Sequence, residues 1–291
     1  MSLSSKLLNR NMAFTPKKPN VSPSRITENT VPFVPFENYN INYDIEIVED
    51  EIRLKEILQQ MIEDNIFYFD YETILTDKAK KYFQEKEIDL KIKEKMIMEG
   101  DFKENEKEKM IMNMWKEYEK EKSSALLDEY KAEPISIQFC STKDKAYIIW
   151  DISKENKYLF DIINDMIFQN LHILKIAFNL KFEMKMSLAK GYYIRGRVAD
   201  PLVMAIRVSQ VLWPEKVISE EKPYIGFGLK ATVKNIINYQ MIEYLDLTQD
   251  GTLTFAELDR DNLDVQKYMS DDVICCIPVF EFYAEHAKNI K

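Results

Sequence analysis

Four carboxylates and one phenol, spread over three short segments, hold the chemistry this sequence offers. The first segment is FYFDYET at 67–73. Its aromatic run reads as a buried strand over 66–71, and Asp70 and Glu72, two apart on a strand, share one face. Acids held that close repel one another unless a cation lies between them. A site of carboxylate oxygens suits Mg2+ or Mn2+. The second segment is IAFNLKFE at 176–183. There an apolar strand ends at Asn179, and Glu183 follows on the first turn of a helix, where an acid can reach over the sheet edge toward the first pair. The third is KYMSDD at 267–272. Tyr268 and Asp272, four apart, share one face of a helix, and a phenol beside a carboxylate can hold an attacking water near a metal.

In this order the three segments resemble the exonuclease motifs of the DEDD superfamily, nearest to the proofreading domain of family A DNA polymerases. The first motif of that family, FDxET, is matched by Phe69, Asp70, Glu72 and Thr73. The second is matched by Asn179, Lys181 and Phe182 with Glu183, and the third by Tyr268 and Asp272. Two connecting segments add to the likeness: Gly191 followed by Val198-Ala199-Asp200-Pro201-Leu202, and Gly228-Leu229-Lys230 opening a helix. The resemblance spans about residues 45 to 285, apart from an insertion over 77–132. It implies an RNase H-like α/β fold, a mixed five-stranded sheet flanked by helices. It also implies 3′–5′ hydrolysis of single-stranded DNA with two divalent ions. Asp70 would bridge both ions, Glu72 and Asp272 would complete the one beside the nucleophile, and Glu183 would hold the other. Tyr268 would hold the water, which makes this a Tyr-type member, and Thr73 and Asn179 would touch substrate. One departure stands out. The second motif normally ends in Asp, and the extra methylene of Glu183 displaces its carboxylate by about 1.5 Å.

The elements that must position these residues follow from periodicity. A helix is expected over 51–64, where Ile52, Leu54, Ile57, Leu58, Met61 and Ile62 recur at helical spacing. Strands are expected over 134–140 and 145–151, joined by a turn at Thr142–Lys143, and over 173–178. Helices are expected over 157–169, 180–190, 229–245 and 262–289, with a further start at Asp200–Pro201, Asp at the cap and Pro in the first turn. Residues 77–132 differ in kind. They are dense in Lys and Glu, and EKMIM occurs at 94–98 and again at 108–112. Gly100–Asp101 between the copies breaks the helix, so a charged helical hairpin is expected to be inserted after the first motif. Its stripe of Met96, Met98, Met110, Met112, Met114 and Trp115 reads as packing ahead of a binding face.

Bulk properties narrow the function. Forty basic residues against forty-nine acidic ones give a net charge of −9, which argues against retention on nucleic acid by overall charge. It leaves open an enzyme gripping a few nucleotides through metal ions. The three cysteines, Cys140, Cys275 and Cys276, have no zinc or disulfide spacing. No apolar run reaches the ~18 residues of a membrane span, and no signal-peptide core opens the chain. A reducing cytoplasm is expected, in a phage or bacterial-type replication setting. Residues 1–42 read as a disordered arm with five prolines and five basic residues against two acidic. The arm or the insertion is a candidate tether to DNA, a polymerase or another replication protein, and Val31–Phe36 offers two phenylalanines for docking. Residues 246–257 (DLTQDGTLTFAE) nearly fit an EF-hand loop, but Thr248 stands where Asp or Asn is usual and there is no second copy. They read as a loop with Asp-Gly turn chemistry. Two rival functions remain: an RNase D-like RNA exonuclease, and a catalytically weak docking module of a replication complex.

Overall fold

The computed structural model describes residues 31–214, 226–248 and 253–290. The chain divides after Pro32, and the compact unit is Phe33–Lys291. The expected arm lies outside the described residues as far as position 30. Along the chain the elements are β1 (Asp44–Ile47), α1 (Glu51–Asp64), β2 (Ile66–Leu75), α2 (Asp77–Glu99), α3 (Glu104–Ala125), β3 (Ala132–Cys140), β4 (Lys145–Trp150), α4 (Lys157–Ile163), β5 (Leu174–Ile176), α5 (Leu180–Ala189), β6 (Val198–Ala199), α6 (Pro201–Leu212), α7 (Leu229–Ile237), α8 (Tyr244–Leu247), α9 (Leu263–Ile274) and α10 (Cys276–Ala287). No helix among the described residues is long and apolar enough to cross a membrane.

The strands form one mixed sheet in the order β1-β4-β3-β2-β5-β6. Pairing is antiparallel for β2–β3 and β3–β4, and parallel for β1–β4, β2–β5 and β5–β6. The sheet has six strands and not the expected five. The additions are short edge strands with no readable period: β1 is DIEI, half charged, and β6 is two residues long.

Strand alternation decides which way the first motif faces. Phe67, Phe69 and Tyr71 of β2 join Ile137, Phe139 and Ile149 in a core covered by α1 and α4. Tyr68 points the other way, into a cluster with Val273, Ile274, Cys276 and Ile277 from α9 and α10. By the same period of two, Asp70 and Glu72 look toward α9. A bulge follows at once: Glu72 pairs with Ser136 and Thr73 with Pro134, so Ile135 is the extra residue on β3. Pro134 lacks the N–H a regular ladder would use, and bulges of this kind re-aim side chains beside sites.

Several boundaries differ from expectation for identifiable reasons. The helix expected over 262–289 breaks at Cys275 into α9 and α10. Pro278 has no N–H for the carbonyl of Ile274, and its ring crowds that carbonyl. The helix expected over 229–245 stops at Ile237 because Asn238 takes a left-handed cap conformation with φ 52°. Beyond α4 the helix expected over 157–169 widens into one π-type turn, Asn164–Phe168.

The insertion is the expected hairpin, α2 and α3, with the break at Gly100. Only its root is packed: Leu75, Ala79, Phe83, Leu90, Tyr118 and Ala125 form a cluster that Met114 and Trp115 join. Met96, Met98, Met110 and Met112 are exposed. The packing expected for the whole stripe therefore fails away from the root, where neither helix has the sheet to lie against.

Phe33 and Phe36 dock on α10. Phe33 meets Trp213 edge-on at 4.9 Å between ring centroids and Phe282 at 5.2 Å, and Phe36 meets Phe282 at 5.7 Å. The packed chain thus reaches back to Phe33, earlier than the arm boundary expected at 42. Phe282 is 1% exposed and is shared by both phenylalanines. Phe282→Ala is expected to lower the unfolding free energy by about 3–5 kcal/mol, measured by urea unfolding. A loss below about 1 kcal/mol would mean that the aromatic cluster does not anchor the 33–43 segment.

Candidate active site

The three segments meet on the face of the sheet that α9 covers. Asp70, Glu72 and Asp272 each offer a carboxylate oxygen, and these oxygens all lie within 4.8 Å of one another. Each of the three keeps part of its surface open at the mouth of the site. Glu183, 1% exposed, comes from α5, where burial and then the nearby charge of Asp70 raise it, but lies outside the 4.8 Å group. β2 supplies two of the acids by strand alternation. α9 supplies Asp272 with Tyr268 one helical turn before it. α5 supplies Glu183 on its first turn, after Asn179 turns the chain at φ 67°, a conformation Asn tolerates.

Burial and mutual repulsion raise the proton affinity of this cluster. Asp70 is pushed up to about 7 by burial, partly offset by hydrogen bonds from Glu183 and from Gln138, whose Nε2 donates to Asp70 Oδ2 at 2.7 Å. Gln138 sits directly opposite Asp70 in the β2–β3 register. Glu72 is raised well above the usual carboxylate range by burial and by Asp70 and Asp272. Asp272 and Glu183 are raised as well, in each case by burial and then by Asp70. The positive charge that partly offsets Glu72 and Asp272 is Lys230, at the start of α7. Its Nζ donates to the Ile242 carbonyl at 2.6 Å and to Glu243 at 3.0 Å.

Tyr268 is held between Tyr244 and Phe255, at 6.2 and 6.4 Å between ring centroids, with Lys230 Nζ 5.1 Å from its ring. Burial and the charges of Glu72, Asp272 and Asp70 raise its hydroxyl, so it stays protonated at neutral pH. Thr73 and Asn179 are engaged locally. Thr73 Oγ1 donates to the Leu126 carbonyl at 3.1 Å, and the Asn179 N–H donates to Asp200 Oδ1 at 3.1 Å. His172, outside the motifs, is exposed just before β5.

The donor set fits divalent cations. The clustered ligands are all oxygens, which suits Mg2+ or Mn2+. Glu183 Oε2 is buried without a hydrogen-bond partner, a state that costs stability unless something positive meets it. The EF-hand-like stretch fits less well. Glu257, at its last position, accepts from the Thr254 N–H at 2.8 Å and Oγ1 at 2.7 Å as part of a capping box. Residues 249–252 lie outside the described residues.

Sequence reasoning missed the groups that brace the acids from behind. Asp271 is fully buried beside Asp272 and accepts from the Tyr43 hydroxyl at 2.6 Å, the Tyr239 hydroxyl at 3.0 Å and Lys267 Nζ at 3.3 Å. Gln138 had one signal, a polar residue in the apolar run PISIQFC. Asp271 had its buried neighbours only in three dimensions.

No protein-family model and no curated protein matches the sequence. Solved structures do match in fold. The EXO domain of Nibbler from Aedes aegypti superposes with a TM-score of 0.52 at 10% identity, over 87% of this chain and 94% of that one. RNase D from Trypanosoma brucei gives 0.53 at 12% identity, over 84% and 65%. The catalytic core of RRP6 from Trypanosoma brucei, as a C496S mutant, gives 0.52 at 9% identity, over 88% and 50%. The chain therefore has the RNase H-like fold of these proteins, and it spans about two thirds of that RNase D and half of that RRP6 core.

The raised carboxylates set a pH dependence. Asp70 titrates near 7 in the folded protein against 3.8 for a free side chain. Between those values the folded state binds more protons than the unfolded state. The metal-free protein therefore loses this contribution as pH rises toward and through 7. Differential scanning calorimetry is expected to show the Tm advantage of Asp70→Asn over metal-free wild type growing from about pH 5 to 8. Mg2+ or Mn2+ is expected to raise the wild-type Tm more at the alkaline end. A pH-independent difference would remove the buried cluster from the stability balance.

Proposed function

We propose that this chain is a metal-dependent 3′–5′ exonuclease that hydrolyses phosphodiester bonds at the end of a single-stranded nucleic acid. The observation that carries this reading is the convergence of Asp70, Glu72 and Asp272 within 4.8 Å. Asp70, Glu72 and Asp272 would hold one divalent ion, and Glu183 with Asp70 a second. Bound there, such ions supply charge stabilisation for the attacking and leaving oxygens of an in-line displacement. The remaining work falls to side chains. Tyr268, kept protonated, orients a water through its hydroxyl beside Asp272. Gln138 fixes the Asp70 carboxylate. Lys230 adds positive charge on the side of Glu72 and Asp272, where phosphate charge must be met.

The motif pattern favours DNA, and with it proofreading for a separately held polymerase. The likeness to Trypanosoma brucei RNase D, also solved in complex with RNA U12, gives single-stranded RNA equal standing as substrate. Two labelled oligonucleotides of the same sequence, one DNA and one RNA, separate these readings when incubated with Mg2+, Mn2+ or EDTA. A ladder shortening from the 3′ end is expected with metal and not with EDTA, and Asp70→Asn is expected to abolish it. A 3′ ladder that persists undiminished in Asp70→Asn would defeat the proposal.

Tyr268→Phe removes the hydroxyl and keeps the ring that packs on Tyr244 and Phe255. It is expected to slow hydrolysis by roughly 10- to 1000-fold while leaving Mn2+ binding, followed by calorimetry, in place. Unchanged turnover would exclude Tyr268 from the mechanism.

A further inference from the structure

We infer that the root of the inserted hairpin is the wall along which the substrate strand approaches the site, with Lys80 and Lys122 as its phosphate-binding cations. This rests on the nuclease reading above.

A cavity of about 610 Å3 lies against the hairpin root, and its lining includes Thr73, Lys80, Lys122, Tyr244 and Phe255. Its lining includes neighbours of the carboxylate site. Thr73 is the residue after Glu72, and Tyr244 and Phe255 are the rings that pack on Tyr268. Lys80 stands near the start of α2 and Lys122 near the end of α3, so the two legs of the hairpin bring one cation each to the same space. Against them the lining carries a single carboxylate, Glu119.

Neither lysine is committed to a tight ion pair. Lys80 Nζ lies 3.8 Å from the exposed Asp77, and Lys122 Nζ lies 5.8 Å from the Tyr118 ring centroid. By contrast, Lys91 pairs with Glu87 at 2.7 Å and Lys86 pairs with Glu121, both within the hairpin. A cavity with one half-buried ring, Tyr244, and two cations, of which Lys122 also feels Glu257 and Glu87, suits a single strand whose phosphates need counter-charge.

The hairpin root is also fixed to the elements that carry the site. Thr73 Oγ1 donates to the Leu126 carbonyl, and the Thr76 N–H donates to the Lys131 carbonyl at 2.8 Å. From α5, which carries Glu183, Lys185 pairs with Glu129 at 2.6 Å. The backbone that carries the two cavity lysines is therefore fixed relative to the carboxylates. They would meet phosphates upstream of the scissile bond, which a dinucleotide lacks and a longer strand has.

The test uses the full chain with a dinucleotide and a 12-nucleotide single strand, and the variants Lys80→Ala/Lys122→Ala, Lys80→Arg/Lys122→Arg and, as a control outside the cavity, Lys78→Ala. The double Ala variant is expected to lower the ratio of kcat/KM for the long strand to that for the dinucleotide by about 10-fold. The slope of log binding constant against log salt should fall by about 0.7 for each phosphate the variant no longer neutralises. The double Arg variant should restore both, and Lys78→Ala should change neither. An unchanged ratio and salt slope in the double Ala variant overturns the inference, whether or not hydrolysis occurs. Salt-sensitive binding of the 12-mer that disappears in double Ala and returns in double Arg supports it. If that binding pattern appears in a wild-type protein that hydrolyses neither substrate, the nuclease reading fails, and the phosphate-binding role of Lys80 and Lys122 is the part of the inference that is supported.

Discussion

Repulsion among closely packed, largely desolvated carboxylates is the constraint around which this domain is arranged. Two unit charges about 4 Å apart in a medium of effective dielectric near 20 repel by roughly 4 kcal/mol. Asp70, Glu72 and Asp272 place three such charges within 4.8 Å, with Glu183 adjoining. A fold keeps such a cluster only by binding protons or cations there, and by geometry rigid enough that the acids cannot swing apart into water. The raised proton affinities of all four groups express the first option. The oxygen-only donor set and the orphaned Glu183 Oε2 express the readiness for the second.

Rigidity comes from different sources for each acid. Asp70 and Glu72 lie on a strand packed on both faces, whose alternate side chains are locked in two separate cores. Asp272 cannot rotate away with its helix, because the next residue back, Asp271, is tied to the approach of β1 by Tyr43 and to the segment after α7 by Tyr239. A buried carboxylate with three donors is costly to displace, since any movement strands a charge. The network around Asp271 thus fixes the azimuth of α9, and with it the direction of both Tyr268 and Asp272.

The centre of this arrangement is readable in the sequence, and its periphery is much less so. Spacing of two on a strand and four on a helix is local geometry, so the sharing of faces by Asp70 with Glu72, and by Tyr268 with Asp272, follows directly. The hairpin is readable because its charge density and its Gly100 break are properties of the chain itself. Edge strands β1 and β6 are not, because their few residues take extended form only through pairing with β4 and β5. The split of the last helix at Cys275 is encoded in Pro278, whose effect the continuous apolar spacing around it masks. The role of Gln138 depends on which residue of β3 falls opposite Asp70, a register set by long-range packing. The exposure of the tip methionines likewise depends on where the sheet ends and not on any pattern within the hairpin.

The charge distribution then limits how a polyanion can be handled. The chain carries a net −9, so long-range attraction cannot concentrate nucleic acid on it. Positive charge acts only at short range here, with a Debye length of about 8 Å at physiological salt. Near the carboxylates that charge comes from Lys230 on α7 and from the hairpin root. On the proposed function, such a site would favour free ends that reach it over duplex tracts that would need a broad basic face. The insertion after β2 would then add cations along the proposed path of the strand without making the surface as a whole basic, so short-range grip would be gained while weak, unspecific adhesion stays low.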